Sequence, residues 1–163
     1  HLAIVDELFL EGGLISNRIE EEFANLEISF LKYADQPFDF YYDQTVSYGE
    51  VISTLIVAAY LNDKGIPTEW ISAPEIIKTG PVNREGTVNW DNSMKASEKV
   101  KPEAGKIILT QGFIGGDNKG FVTTLGREGS DYSAAILAYL YDANEVIIWK
   151  DVPGMMNADP KFF

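Results

Sequence analysis

Residues 121–141 read Phe121-Val-Thr-Thr-Leu-Gly-Arg-Glu-Gly-Ser-Asp-Tyr-Ser-Ala-Ala-Ile-Leu-Ala-Tyr-Leu-Tyr141. Phe121–Leu125 is an apolar, β-like run. Ser130–Tyr141 follows as a helix with Tyr132, Ala135, Ile136, Tyr139 and Leu140 on one face. Between them lies Gly126-Arg-Glu-Gly-Ser-Asp131, a glycine-rich strand-to-helix turn. Such a turn exposes backbone N–H groups at a helix N-terminus, where the macrodipole favours negative charge. Arg127 adds a planar, forked cation suited to a carboxylate or phosphate. Asp131 places an acid beside it. The plainer reading takes Ser130 as an ordinary N-cap and Asp131 as an ordinary first-turn acid.

The rest of the chain predicts the setting of this turn. Downstream, Glu145–Trp149 reads as a buried strand, turned by Asp151-Val-Pro-Gly154. Upstream, Lys106–Gln111 is an apolar run of buried-strand type, and Gly112, Gly115, Gly116 and Gly120 make a supple loop. Thr68–Ser72 and Thr87–Trp90 read as short strands, Pro74–Lys78 as a helical turn and Asn92–Val100 as a helix. Helices alternating with buried strands predict an α/β domain with a largely parallel sheet. Ligands then bind beyond the carboxyl ends of the strands. Gln111-Gly112-Phe113, the Gly126–Asp131 turn and Lys150-Asp151 all fall there.

The first part of the chain is predicted to be helical. Leu2–Phe9 forms a short helix ended by Gly12-Gly13, and Ile15, Ile19, Phe23, Leu26 and Phe30 mark a second. Gln36-Pro37 restarts the chain, Tyr48-Gly49-Glu50 interrupts it, and Val51–Asn62 is an apolar helix closed by Lys64-Gly65. The predicted division is a mainly helical part over 1–65 and an α/β part over 66–163 that carries the motifs.

Composition narrows the chemistry. A chain of 163 residues is one ordinary domain. It has no cysteine, which excludes disulfides and thiolate metal sites. The lone histidine, His1, is read as a tag remnant or mobile terminus, so histidine triads and histidine-rich metal sites drop out. The formal charge is -12 and the pI about 4.4, against nucleic acid or an anionic membrane as partner. Residues 1–50 hold eleven acids and two bases, while residues 51–163 hold fourteen acids and eleven bases. The later part is thus the one able to attract an anion. No signal peptide or spanning segment is evident, and a cytoplasmic location is expected.

The motifs taken together resemble aspartate kinase, of the amino-acid kinase family. The resemblance rests on Thr110-Gln-Gly-Phe-Ile-Gly115, on Thr123-Thr-Leu-Gly-Arg-Glu-Gly-Ser-Asp-Tyr132, on Trp149-Lys-Asp-Val-Pro-Gly154 and on Ala158-Asp-Pro160. Upstream, Tyr48-Gly-Glu-Val-Ile-Ser-Thr54 resembles the family's Gly-Glu helix start. The match is close from about residue 44 onward. It implies a carbamate kinase-like three-layer α/β fold, here truncated, with an N-terminal helical portion. It also implies phosphorylation of the L-aspartate side-chain carboxylate by MgATP, the first step toward lysine, threonine and methionine. A carboxylate is already a nucleophile near neutral pH, so no histidine base is needed. The task is alignment and charge neutralisation.

The resemblance also implies roles by position. Arg127 pairs with a carboxylate of aspartate, and Glu128, Gly129 and Ser130 line that pocket. Glu50 holds the substrate ammonium, its plainer role being a first-turn helix acid. Phe113 walls the pocket, where by itself it reads as core. Asp131 is the catalytic aspartate, positioning basic groups around the phosphoryl. Lys150, Asp151, Met156 and Lys161 form the nucleotide side, with Asp151 as a ribose or metal contact. Family members often carry Gly at Glu128, Thr at Lys150 and Tyr at Met156. The family's Lys-Phe-Gly-Gly turn is not in this chain, so the chain reads as an internal piece with little or no kinase activity alone, from a homo-oligomeric parent. Two readings stay open beside this one: a non-catalytic binding or assembly module, and another amino-acid kinase specificity.

Overall fold

The computed structural model describes residues 1–9, 13–101 and 103–150. Asp151, Met156 and Lys161 therefore lie outside the described residues, as does the turn at 151–154. The helical part holds α1 (Leu2–Leu8), α2 (Gly13–Lys32) and α3 (Phe38–Asp63). Val5, Ile19, Ile52 and Ile56 bury together at their junction, with Ile15, Phe23 and Tyr48 against them. The helical spacing read for α2 holds through Phe23, but Phe30 is exposed.

Helix α3 corrects the predicted break at Tyr48-Gly49-Glu50, because it runs unbroken for 26 residues. A mid-helix glycine costs roughly 1 kcal/mol relative to alanine. Burial of Ile52, Ile56 and Ala58 just beyond it offsets that cost. The helix starts after Pro37, where the predicted restart lies.

The second part holds β1 (Thr68–Trp70), α4 (Ala73–Ile76), α5 (Trp90–Ser97), β2 (Ile107–Leu109), β3 (Ile114–Gly116), β4 (Val122–Thr124) and α6 (Gly129–Leu140). β1 and β2 pair in parallel, with Thr68 opposite Ile107. β3 and β4 pair antiparallel, with Ile114 opposite Thr124. The strands are thus half parallel and half antiparallel, where a largely parallel sheet is predicted. The glycine-rich stretch read as a loop contains a strand. Gly112, Gly115 and Gly116 serve close approach: a Cβ on Gly115 would lie 2.8 Å from Thr79 Cγ2 and 2.9 Å from the Ile77 carbonyl oxygen.

Three other expectations change. Thr87–Trp90 is no strand; Val88 makes one bridge to Thr79, and Asn89 caps α5 by accepting from Asn92 N at 3.0 Å. Glu145–Trp149 is exposed and unpaired, since β2 pairs with β1 alone among the described strands. An apolar run becomes a buried strand only when a neighbouring strand offers it a ladder. On α6, the buried face is Gly129, Ser133, Ile136 and Leu140, while Tyr132 and Tyr139 point outward. Ile136 and Leu140 join Ile76, Ile77, Val88 and Leu125 in the second core.

The Gly115 contact is testable. Gly115→Ala should destabilise the protein by about 1–3 kcal/mol through overpacking against backbone. An unchanged urea midpoint would contradict the close approach.

Candidate active site

The β4–α6 turn is built by backbone geometry before any side chain acts. Gly126 has φ 80°, and the non-glycine residues Phe113 and Glu128 have φ 69° and 58°. A left-handed conformation at a bulky residue is strained and persists only where the surroundings enforce it. Here the enforcement is visible. Leu125 N donates to the Phe113 carbonyl at 2.8 Å, and Phe113 N donates to Ser133 Oγ at 2.9 Å. Ser133 Oγ in turn donates to the Gly129 carbonyl at 2.8 Å. A Cβ on Gly129 would sit 2.7 Å from Phe113 Cδ2, so only glycine lets the ring lie on the helix start.

The helix N-terminus departs from the plain reading. Glu128, not Ser130, is the N-cap, and no side chain caps α6. Ser130 lies inside the first turn, and its N–H and that of Asp131 meet no acceptor among the described residues. Two donors at a positive dipole end are thereby left for an anion. Arg127 projects into solvent, 95% exposed, with Glu128 Oε1 at 3.9 Å. Asp131 receives the Lys150 ammonium at 2.7 Å. The turn and the end of the Glu145–Lys150 run, far apart in sequence, therefore share one ion pair.

Phe113, Gly126 and Arg127 line an open cleft of about 540 Å³ with Asp39, Tyr42, Thr124 and the 82–85 loop. Glu50, Glu128, Gly129 and Ser130 are not among its lining residues. Glu50 stands on α3 one turn before Thr54. Thr54 Oγ1 accepts from Trp70 Nε1 at 2.9 Å and from Gln111 Nε2 at 3.1 Å. Gln111 Oε1 accepts from Ala73 N at 2.8 Å. Glu50 thus shares a helix face with the group that anchors the end of β2. Burial pushes its carboxyl above the ordinary carboxylate range, and no described residue bonds to it.

Sequence reasoning missed Asp43, Asn83 and Arg84. Asp43 is fully buried, and its oxygens accept from Thr124 Oγ1 at 2.8 Å, Asn83 Nδ2 at 3.0 Å and Arg84 N at 3.0 Å. The available signal was its spacing: Asp43, Ser47, Glu50 and Thr54 recur at helical intervals through an apolar helix.

A sequence model described as the amino acid kinase family matches residues 4–163. The chain belongs to the amino acid kinase family. It is 39% identical over 123 residues to lysine-sensitive aspartokinase 3 of Escherichia coli, which covers 73% of this chain and 27% of that protein. It is 35% identical over 146 residues to the aspartokinase of Chlamydia pneumoniae, covering 90% of this chain and 31% of that one. Its structure is similar to E. coli aspartokinase III in complex with aspartate and ADP, with a TM-score of 0.85 at 34% identity. That match covers 93% of this chain and 34% of the solved chain. The chain thus spans less than a third of the length of either relative.

Ser133 offers a test of the site's frame. Ser133→Ala strands the Phe113 N–H without its acceptor, a loss of about 1–3 kcal/mol in unfolding free energy. Urea denaturation reads it, and a stability within 0.3 kcal/mol of the parent, roughly the spread of a neutral surface change, would refute the frame.

Proposed function

We propose that this chain carries the aspartate pocket and part of the nucleotide site of an aspartate kinase. The observation that carries this reading is the Gly126–Asp131 turn. It leaves the Arg127 guanidinium open to solvent at the cleft beside Phe113, and three residues past Glu128 it holds Lys150 through Asp131. One turn thereby offers a carboxylate clamp and a fixed cation, the two charges that bring an anionic acceptor and an anionic donor together. The similarity to an aspartokinase crystallised with aspartate and ADP supports the same pairing.

In this reading Arg127 binds a substrate carboxylate by a charge-assisted fork, and Phe113 limits the pocket. The free N–H groups of Ser130 and Asp131 add donors at the helix dipole. The family resemblance gives the ammonium to Glu50, which stands outside the lining of this cleft. A side-chain carboxylate oxygen of aspartate then attacks the γ-phosphorus, the bond to the bridging oxygen breaks, and ADP leaves. Asp131 keeps Lys150 oriented toward the transferring charge. Asp151, Met156 and Lys161 would complete the nucleotide side. No group of three or more acidic or histidine side chains among the described residues could cage a metal ion. Mg²⁺ would arrive on the nucleotide phosphates, where one or two protein carboxylates suffice to hold it. Bound that way, it would supply charge neutralisation on the phosphates.

Two substitutions in the full-length protein test the roles. Arg127→Ala should raise the KM for aspartate roughly 10- to 100-fold, the worth of a charged hydrogen-bonding group. Asp131→Asn should act mainly on kcat. Wild-type kinetics in both would defeat the assignment.

Glu50 gives a test in pH. Its folded pKa is raised by burial, so the stability it contributes is present below its unfolded value and lost as pH rises through the folded value. Glu50→Gln should therefore raise Tm at pH 7 and leave it nearly unchanged at pH values below the ordinary carboxylate range. The same variant should weaken aspartate binding. A Tm that falls at pH 7 with aspartate KM unaltered would overturn the role.

A further inference from the structure

Arg84 lines the same cleft as Arg127 but comes from a different segment of the chain, the 82–85 loop, which packs against Gly126. It follows Asn83 in the 82–85 loop, and both line the same cavity as Phe113, Gly126 and Arg127. Its backbone is left-handed, with φ 63°. A long, charged side chain in that region is disfavoured unless the loop is held from outside. Asp43 does the holding. Its carboxylate, with no exposure to solvent, accepts from Arg84 N and Asn83 Nδ2 through one oxygen, both at 3.0 Å. Its other oxygen accepts from Thr124 Oγ1 at 2.8 Å. Thr124 ends β4, two residues before Gly126. One buried carboxylate therefore ties the loop that bears Arg84 to the strand that leads into the Arg127 turn.

The guanidinium itself is also placed. It lies 5.0 Å from the Tyr42 ring centroid and 5.8 Å from that of Phe38, and its Nη1 donates to Asp39 Oδ1 at 3.3 Å. Rings restrict a cation's direction without satisfying its in-plane donors. Arg84 remains half exposed, with donors to spare toward the cleft.

We propose that Arg84 is a second carboxylate-binding side chain of the substrate cleft, and that Asp43 is the residue that positions it. This rests on the aspartate kinase reading and deepens it. A substrate with two carboxylates needs two cationic contacts, and Arg127 can fork only one. Two arginines lining one cleft select a small dicarboxylate over its half-amide, because the amide leaves one guanidinium desolvated without an anion.

The test uses the full-length protein and titration calorimetry with aspartate and with asparagine, beside steady-state kinetics. Arg84→Gln should weaken aspartate about tenfold, the loss of one charge-assisted contact. It should act chiefly on KM, and asparagine binding should change less than about twofold. Arg84→Lys should recover part of the aspartate affinity. Asp43→Asn should weaken aspartate as well, and adding Arg84→Gln to it should cost little more, since both act through one guanidinium. Arg84 is exposed, so Arg84→Gln decides the contact whatever Asp43→Asn does to folding. A folded Arg84→Gln that binds aspartate as wild type does, while Arg127→Ala does not, overturns the role of Arg84 alone. If neither substitution affects aspartate, the aspartate reading falls with it.

Discussion

Helix α3 buries polar groups, and the rest of the domain is arranged to satisfy them. A buried carboxylate or amide without partners is costly, so each one dictates what lies opposite. Asp43 calls for the 83–84 backbone and Thr124. Gln44 both donates to the Val122 carbonyl at 2.7 Å and accepts from Val122 N at 3.2 Å, capping the free edge of β4. Thr54 gathers Trp70 and Gln111, and so the ends of β1 and β2. A single helix thus contacts both strand pairs. The apolar core then fills the space behind them.

The same helix explains how the site is kept rigid without a long sheet. The described strands are only three residues each. Short strands fix little by themselves. The β3–β4 hairpin is pinned on one face by α3 and on the other by α6, through Gly129 packed on Phe113 and Ser133 bonded to its N–H. Phe121 adds an edge-on contact to Phe40 at 4.9 Å, which fastens the hairpin entry to the start of α3. The glycine-rich turn between β4 and α6 is therefore held at both ends. The backbone that carries Arg127 is thereby fixed, while its exposed side chain is ordered only on binding.

Electrostatics follow from this placement. The chain is strongly acidic, yet Arg84, Arg127 and Lys150 all stand around the α6 end of the hairpin. Each of the three is paired with a carboxylate that is itself at least one-third exposed. Exposed pairs are weak and exchangeable. An anionic ligand can displace Asp39 from Arg84 and Glu128 from Arg127, whereas the buried Asp43 contacts stay in place. Charge that recruits and charge that supports are separated by burial.

The sequence by itself determined the local elements whose cause is local. The turn over Gly126–Asp131, the helix after it, the restart at Pro37 and the apolar face through Ile15, Ile19 and Phe23 follow from spacing, glycine and proline within a few residues. The motifs that carry the family likeness are equally local, which is why Arg127, Asp131 and Lys150 could be singled out in advance. Tertiary structure decided whatever depends on a distant partner. Gly49 sits in an unbroken helix because neighbouring helices bury Ile52 and Ile56. Gly115 belongs to a strand because Thr79 and Ile77 press against it. Val146–Trp149 stays exposed because no described strand lies alongside. Asp43 and Arg84, forty-one residues apart, meet because one buried carboxylate needs that loop's N–H. Hydrogen-bond demand across such separations leaves no mark in a short window of sequence, and it is what joined two arginines in one cleft.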